Sequence, residues 1–179
     1  FVDCHTHPVF LDYRVDEFCM RLKGSTYEEI ANAGGGIKNS IKGVRESSEN
    51  DLIGRVIKRM DKFLKAGTTT VECKSGYGLN TESELKSLKV IHDVNKNHQI
   101  DMVATFLGAH AFPFEFKNNP NSYVDLICNE MIPKVQKQGI AKFIDVFCED
   151  GYFNIEQTKK IIEKGKDFGF YPRIHADEF

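Results

Sequence analysis

The sequence predicts an α/β protein, part of a (β/α)8 (TIM) barrel with its first five β/α units in residues 1–179. Three observations carry that expectation. Short apolar strands alternate with amphipathic helices along the whole chain, the rhythm of a parallel sheet. The turn after the first strand holds His5-Thr6-His7 where a dinucleotide-binding sheet would place its glycine fingerprint. Four of the six histidines fall at strand ends, where barrel enzymes keep their chemistry.

The first strand is Phe1 to Cys4, followed by a long loop to about Val44. Ser48 reads as a helix N-cap, and Leu52, Ile53, Val56, Ile57, Met60, Phe63 and Leu64 repeat at helical spacing until Gly67 ends the helix. Thr68 to Cys73 is the second strand. Thr81-x-x-Glu84 reads as a capping box for a helix bearing Leu85, Leu88, Ile91 and Val94. Met102 to Leu107 is the third strand, and a helix with Tyr123, Val124, Ile127, Met131 and Val135 leads to Gly139. The fourth strand is Phe143 to Phe147, followed by a helix with Ile155, Thr158, Ile161 and Ile162. The fifth is Pro172 to His175. Gly34-Gly35-Gly36 lies deep in the first loop and reads as backbone freedom, not a phosphate cradle. The chain starts and stops inside strand patterns. A complete barrel needs about 250 residues, so a piece of something longer, short of three strands, is expected.

Composition excludes several function classes. The 24 basic residues are scattered among 26 acidic ones, so no basic stripe offers a nucleic-acid footprint or a membrane surface. No apolar run reaches the ~20 residues of a membrane span. Five widely spaced cysteines without a CxxC pair read as reduced, mostly buried thiols of a cytoplasmic protein, and a cysteine zinc site is not expected. The partner expected is a small molecule, with a homodimer as a further option.

The strand ends hold the candidate chemistry. His5 and His7, two apart on an extended strand, project to the same side. Two converging imidazoles suit Zn²⁺ or Fe²⁺, although an isolated pair is as readily one core histidine and one solvent-facing one. His175 at another strand end makes a third imidazole. Glu178 follows three residues on and is placed to relay a proton from a metal-activated water. Tyr77, in a Gly-Tyr-Gly turn, and His110, after Gly108-Ala109, are candidates for substrate contact, His110 as a polarising group at an oxyanion; loop packing and a structural cap are the plain alternatives. On chemistry alone Arg14 and Tyr27 read as surface residues. His92 and His98, on or after a helix, are expected at the surface.

The Phe-Val-Asp-Cys-His-Thr-His segment at 1–7 resembles the first-strand signature of the amidohydrolase superfamily. Further segments narrow the resemblance to its imidazolonepropionase family. They are Thr26 to Ile37, Val-Glu-Cys-Lys-Ser-Gly-Tyr-Gly-Leu at 71–79, Thr-Phe-Leu-Gly-Ala-His-Ala at 105–111, Asp145 to Glu149, and Ile-His-Ala-Asp-Glu-Phe at 174–179. The resemblance implies hydrolysis of 4-imidazolone-5-propanoate at one Zn or Fe ion. It assigns His5, His7 and His175 as metal ligands, Arg14, Tyr27, Tyr77 and His110 as substrate contacts, and Glu178 as the acid beside the hydrolytic water. The fourth strand ends without a lysine, which speaks for one ion and against a carbamate-bridged pair. The family's small β-domain, its strand-six histidine and its strand-eight aspartate are not in residues 1–179. The alternatives are a related nucleobase deaminase or cyclic-amide hydrolase, or an inactive truncated product.

Overall fold

β-Branched and apolar stretches form five strands in the structure, a computed structural model that describes residues 1–26, 29 and 37–177. They are β1 (Val2–Thr6), β2 (Thr70–Lys74), β3 (Asp101–Ala109), β4 (Phe143–Val146) and β5 (Tyr171–Pro172), all parallel and in the order β1-β2-β3-β4-β5. An isolated bridge between Phe147 and His175 extends the β4–β5 pairing. The α/β class and the parallel sheet are as the sequence predicts. The helices are α1 (Val15–Leu22), α2 (Ile37–Glu46), α3 (Glu49–Lys65), α4 (Thr81–Asn97), α5 (Pro120–Leu126), α6 (Ile132–Gln138) and α7 (Ile155–Asp167).

Helix registers follow the apolar spacing. Ser48 caps α3 by accepting a hydrogen bond from the Asp51 N–H, and Leu52, Val56 and Met60 are buried. Leu88, Ile91 and Val94 are the buried stripe of α4, and Thr158 and Ile161 that of α7, whereas Ile155 in the first turn of α7 is 79% exposed. The stretch from Pro120 to Gln138 is not one continuous α-helix: a π-turn, Ile127–Met131, joins α5 to α6. Pro133 in the first turn of α6 has no N–H to continue the ladder, and the wider turn absorbs that loss. Two helices, α1 and α2, lie within the stretch read from the sequence as the first loop.

Alternation sorts each strand's side chains. Val71 and Cys73 of β2, Phe106 of β3, and Ile144 and Val146 of β4 join the helices in the apolar core. The opposite face is concave, as two contacts between the outermost strands show. Arg173, just after β5, donates from Nη1 to the Cys4 carbonyl of β1 at 3.0 Å. The rings of His5 and His175 stand 4.6 Å apart. The sheet therefore curls until its edges face one another across the C-terminal ends of the strands. No helix among the described residues is long and apolar enough to cross a membrane.

Cysteine placement differs in part from expectation. All five thiols are free, but Cys4 and Cys19 are exposed, Cys148 is half-buried, and only Cys73 and Cys128 are buried. Burial pushes the Cys73 thiol up to about 12. Iodoacetamide at pH 8 is expected to label Cys4 and Cys19 in the folded protein and Cys73 only after denaturation. Peptide mass spectrometry checks this, and early labelling of Cys73 would refute the packing of β2.

Candidate metal centre

His5 and His7 lie at the end of β1, where an irregularity in the pairing with β2 falls between Asp3 and Thr6. Between them, Thr6 points to the opposite face and donates from Oγ1 to the Glu72 carbonyl at 2.6 Å. That anchor turns both imidazoles to the concave side. Their Nε2 atoms are 3.3 Å apart. His175 arrives from the far edge of the sheet, and ligand atoms of the three rings all lie within 4.8 Å of one another. This is the one group of metal-ligating type found among the described residues.

The donor set fits a borderline transition metal. Two nitrogens on a tetrahedral ion at ~2.0–2.1 Å are separated by about 3.3 Å, the His5–His7 spacing. Burial is the largest cause lowering the pKa of both histidines, and His7 falls to about 2 with further push from His110 and His5. Neutral imidazoles are the form that binds metal.

The loop leaving His7 is held by Arg59 of α3, which is buried and donates to the carbonyls of Pro8 at 3.0 Å, Phe10 at 2.6 Å and Leu11 at 3.1 Å. Its guanidinium lies 3.4 Å over the Phe10 ring. Composition offers no sign of this strap. Arg59→Met is expected to lower stability by about 2 kcal/mol, because three carbonyls lose a charged donor. Urea unfolding measures it, and a change within about 0.5 kcal/mol would reject the strap.

The Gly-Tyr-Gly turn after β2 is built around Glu84. Thr81 and Glu84 do not form the expected capping box: Asn80 caps α4 by accepting from the Ser83 N–H. Glu84 instead turns back, fully buried, and accepts from the N–H groups of Gly76 at 3.0 Å, Gly78 at 2.9 Å and Leu79 at 2.9 Å. Gly76 needs its hydrogen side chain, since it has φ +106° and a Cβ there would meet the Leu107 carbonyl oxygen at 2.8 Å. The turn presents Tyr77 to the centre, its ring 5.9 Å from that of His7 and 5.2 Å from that of His110.

His110 is buried and stacks on His7 at 4.9 Å between centroids. Its Nδ1 lies 2.8 Å from the Gly76 carbonyl oxygen. A carbonyl only accepts, so Nδ1 carries the proton and the neutral ring turns an accepting Nε2 to the site. In this tautomer the neutral ring offers an acceptor, not a donor, at Nε2.

The structure thus brings together His5, His7, His175, His110 and Tyr77. Arg14, exposed at the start of α1, is ion-paired with Glu17 at 3.5 Å, and its charge acts on Tyr77. Tyr27 and Glu178, like Gly34-Gly35-Gly36, lie outside the described residues. His98 is less exposed than expected, its ring 3.2 Å from Asp61 Oδ1. Sequence reasoning missed the charged group below the histidines: Lys74 donates to Glu72 at 2.7 Å and to Asp145 at 2.6 Å, all three buried. The signal was there, as charges alternating with apolar residues in strands.

Known proteins bear on this geometry. The chain is 48% identical over 177 residues to a protein of Christiangramia forsetii, 52% over 177 to one of a Geobacillus strain, and 47% over 178 to one of Clostridium tetani. All three are named imidazolonepropionase. What this chain resembles is imidazolonepropionase. The alignments cover 99% of the chain and 42–43% of each relative, so the chain spans about two-fifths of the length of these imidazolonepropionases. No protein-family profile matches.

Proposed function

We propose that this chain carries the metal centre and part of the substrate pocket of an imidazolonepropionase, which hydrolyses 4-imidazolone-5-propanoate to N-formimidoyl-L-glutamate in histidine degradation. The observation that carries this reading is the convergence of His5, His7 and His175 within 4.8 Å, in a chain about half identical to imidazolonepropionases. The curled sheet is read as the first five units, residues 1–179, of a (β/α)8 barrel, in a cytoplasmic enzyme. His5, His7 and His175 hold one Zn or Fe ion, which when bound supplies a Lewis acid and lowers the pKa of water toward ~7.

The chain's own groups then bind, orient and move protons. Arg14 offers its planar fork to the propanoate, a carboxylate that competes with Glu17 for it. Tyr77 and Tyr27 pack on the flat ring. His110, its Nδ1–H committed to Gly76, accepts a ring N–H at Nε2 and so fixes which ring edge faces the histidines. Glu178 takes the proton of the attacking water and returns it to the departing ring nitrogen. Half-buried Glu149 and exposed Asp150, at the strand-four end, have no role in this reading.

The test is turnover of 4-imidazolone-5-propanoate by purified protein loaded with Zn or Fe, with N-formimidoyl-glutamate identified by mass spectrometry. Loss on chelation and recovery on adding metal are expected. Ammonia released from a purine or pyrimidine, with no turnover of the imidazolone, would overturn the reading in favour of a deaminase.

A further inference from the structure

The function proposed above leaves unused a buried charge cluster on the same concave face. Glu72 and Lys74 are two residues apart on β2 and share a face; Thr105 pairs with Lys74 in register on β3, and Asp145 follows on β4. Lys74 Nζ donates to Glu72 Oε1 at 2.7 Å and to Asp145 Oδ2 at 2.6 Å, with the lysine side chain 0% exposed and the carboxylates 4% and 2%. Thr105 Oγ1 donates to the same Glu72 oxygen. The other, Glu72 Oε2, is buried and has no hydrogen-bond partner among the described residues.

The cluster adjoins the histidines. Thr6 pairs with Cys73, and His5 and Glu72 each precede these partners by one residue, on neighbouring strands spaced ~4.8 Å apart. Lys74, Asp145 and Glu72 all act electrostatically on His5, Lys74 most strongly of the three.

Two carboxylates converging on one point in a dry site, with one oxygen unpartnered and an imidazole beside them, are a donor set for a divalent cation. Here an ammonium fills the point. Lysine is a compact charge held by two ion pairs, and the cluster totals one negative charge with it and two without it. We infer that Lys74 keeps the histidine centre mononuclear, its ammonium standing where Glu72 and Asp145 would otherwise hold a second divalent cation. The inference rests on the metal reading of His5, His7 and His175.

The test counts zinc. Wild-type protein and variants are stripped with chelator, dialysed against excess Zn²⁺, then against buffer, and the metal per chain is measured by mass spectrometry. The wild type is expected to hold one ion and Lys74→Met two, while Glu72→Gln/Lys74→Met returns to one, which also subtracts any surface zinc. One ion in both wild type and Lys74→Met overturns the inference about Lys74, and so does a second ion that persists in the double variant. No ion in the wild type overturns the metal reading itself. Should Lys74→Met unfold without metal, zinc is expected to restore a cooperative melt; a variant unfolded with and without zinc counts against the inference.

Discussion

Glu84→Ala is expected to lower the unfolding free energy by about 3–5 kcal/mol. Each buried donor left unpaired costs ~1–3 kcal/mol, and Glu84 serves the N–H groups of Gly76, Gly78 and Leu79. The turn has little room to find other partners. Gly76 is held at φ +106° against Leu107, and a Cβ at Gly78 would lie 2.6 Å from Ser83 Cβ, so the chain already runs at closest approach to α4. Glu84→Gln keeps one accepting oxygen, and since Oε1 alone serves Gly78 and Leu79, its loss is expected to be smaller, about 1–2 kcal/mol. Urea unfolding of the two variants decides the matter. An alanine variant within about 1 kcal/mol of wild type, or a glutamine variant as damaged as the alanine, would reject the cradle. The effect reaches the candidate site as well, because Tyr77 sits in this turn and His110 hydrogen-bonds to Gly76.

The second large effect is at the far edge of the sheet. His175→Ala is expected to abolish retention of one zinc per chain after dialysis and to cut turnover of the imidazolone about 10³-fold. Lewis-acid stabilisation by a bound metal is worth several kcal/mol, and each 1.36 kcal/mol is a factor of ten in rate. Two imidazoles from one strand remain in the variant, too few from the described residues for a catalytic zinc, which usually has three protein ligands. The fold is expected to survive, since His175 lies past the last regular strand and its backbone N–H still reaches the Val146 carbonyl. Full zinc occupancy in a folded His175→Ala protein would show that the three-histidine group is not the metal site.

Particular residues show how far the sequence could be read. The stripes of α3, α4 and α7 were legible because a helix burying one face repeats its apolar residues every three or four positions, and Leu52, Val56 and Met60 do so. His5 and His7 were legible as a converging pair because a two-residue step on a strand keeps side chains on one face. His175 was legible as a strand-end histidine and, through the resemblance, as a co-ligand of His5, although the edge-on contact of their rings was not. Glu84 was misread: a glutamate three residues after a threonine has the spacing of a capping box, and only packing shows that Asn80 takes the cap and leaves the carboxylate to the turn. The role of His110 also turned on one contact, since the Gly76 carbonyl decides which ring nitrogen holds the proton.

By itself, then, the sequence determined what is local and periodic: the order of strands and helices, the faces they bury, and the residue types at each strand end. Those depend on spacings of two to four residues that backbone geometry dictates. Only the tertiary structure decided which strand ends meet, that Arg59 and Glu84 are struts beneath two loops, and that Lys74 lies locked between Glu72 and Asp145. Such contacts join residues up to 169 positions apart. They exist because the sheet curls, and curling belongs to all five strands together and to no single segment.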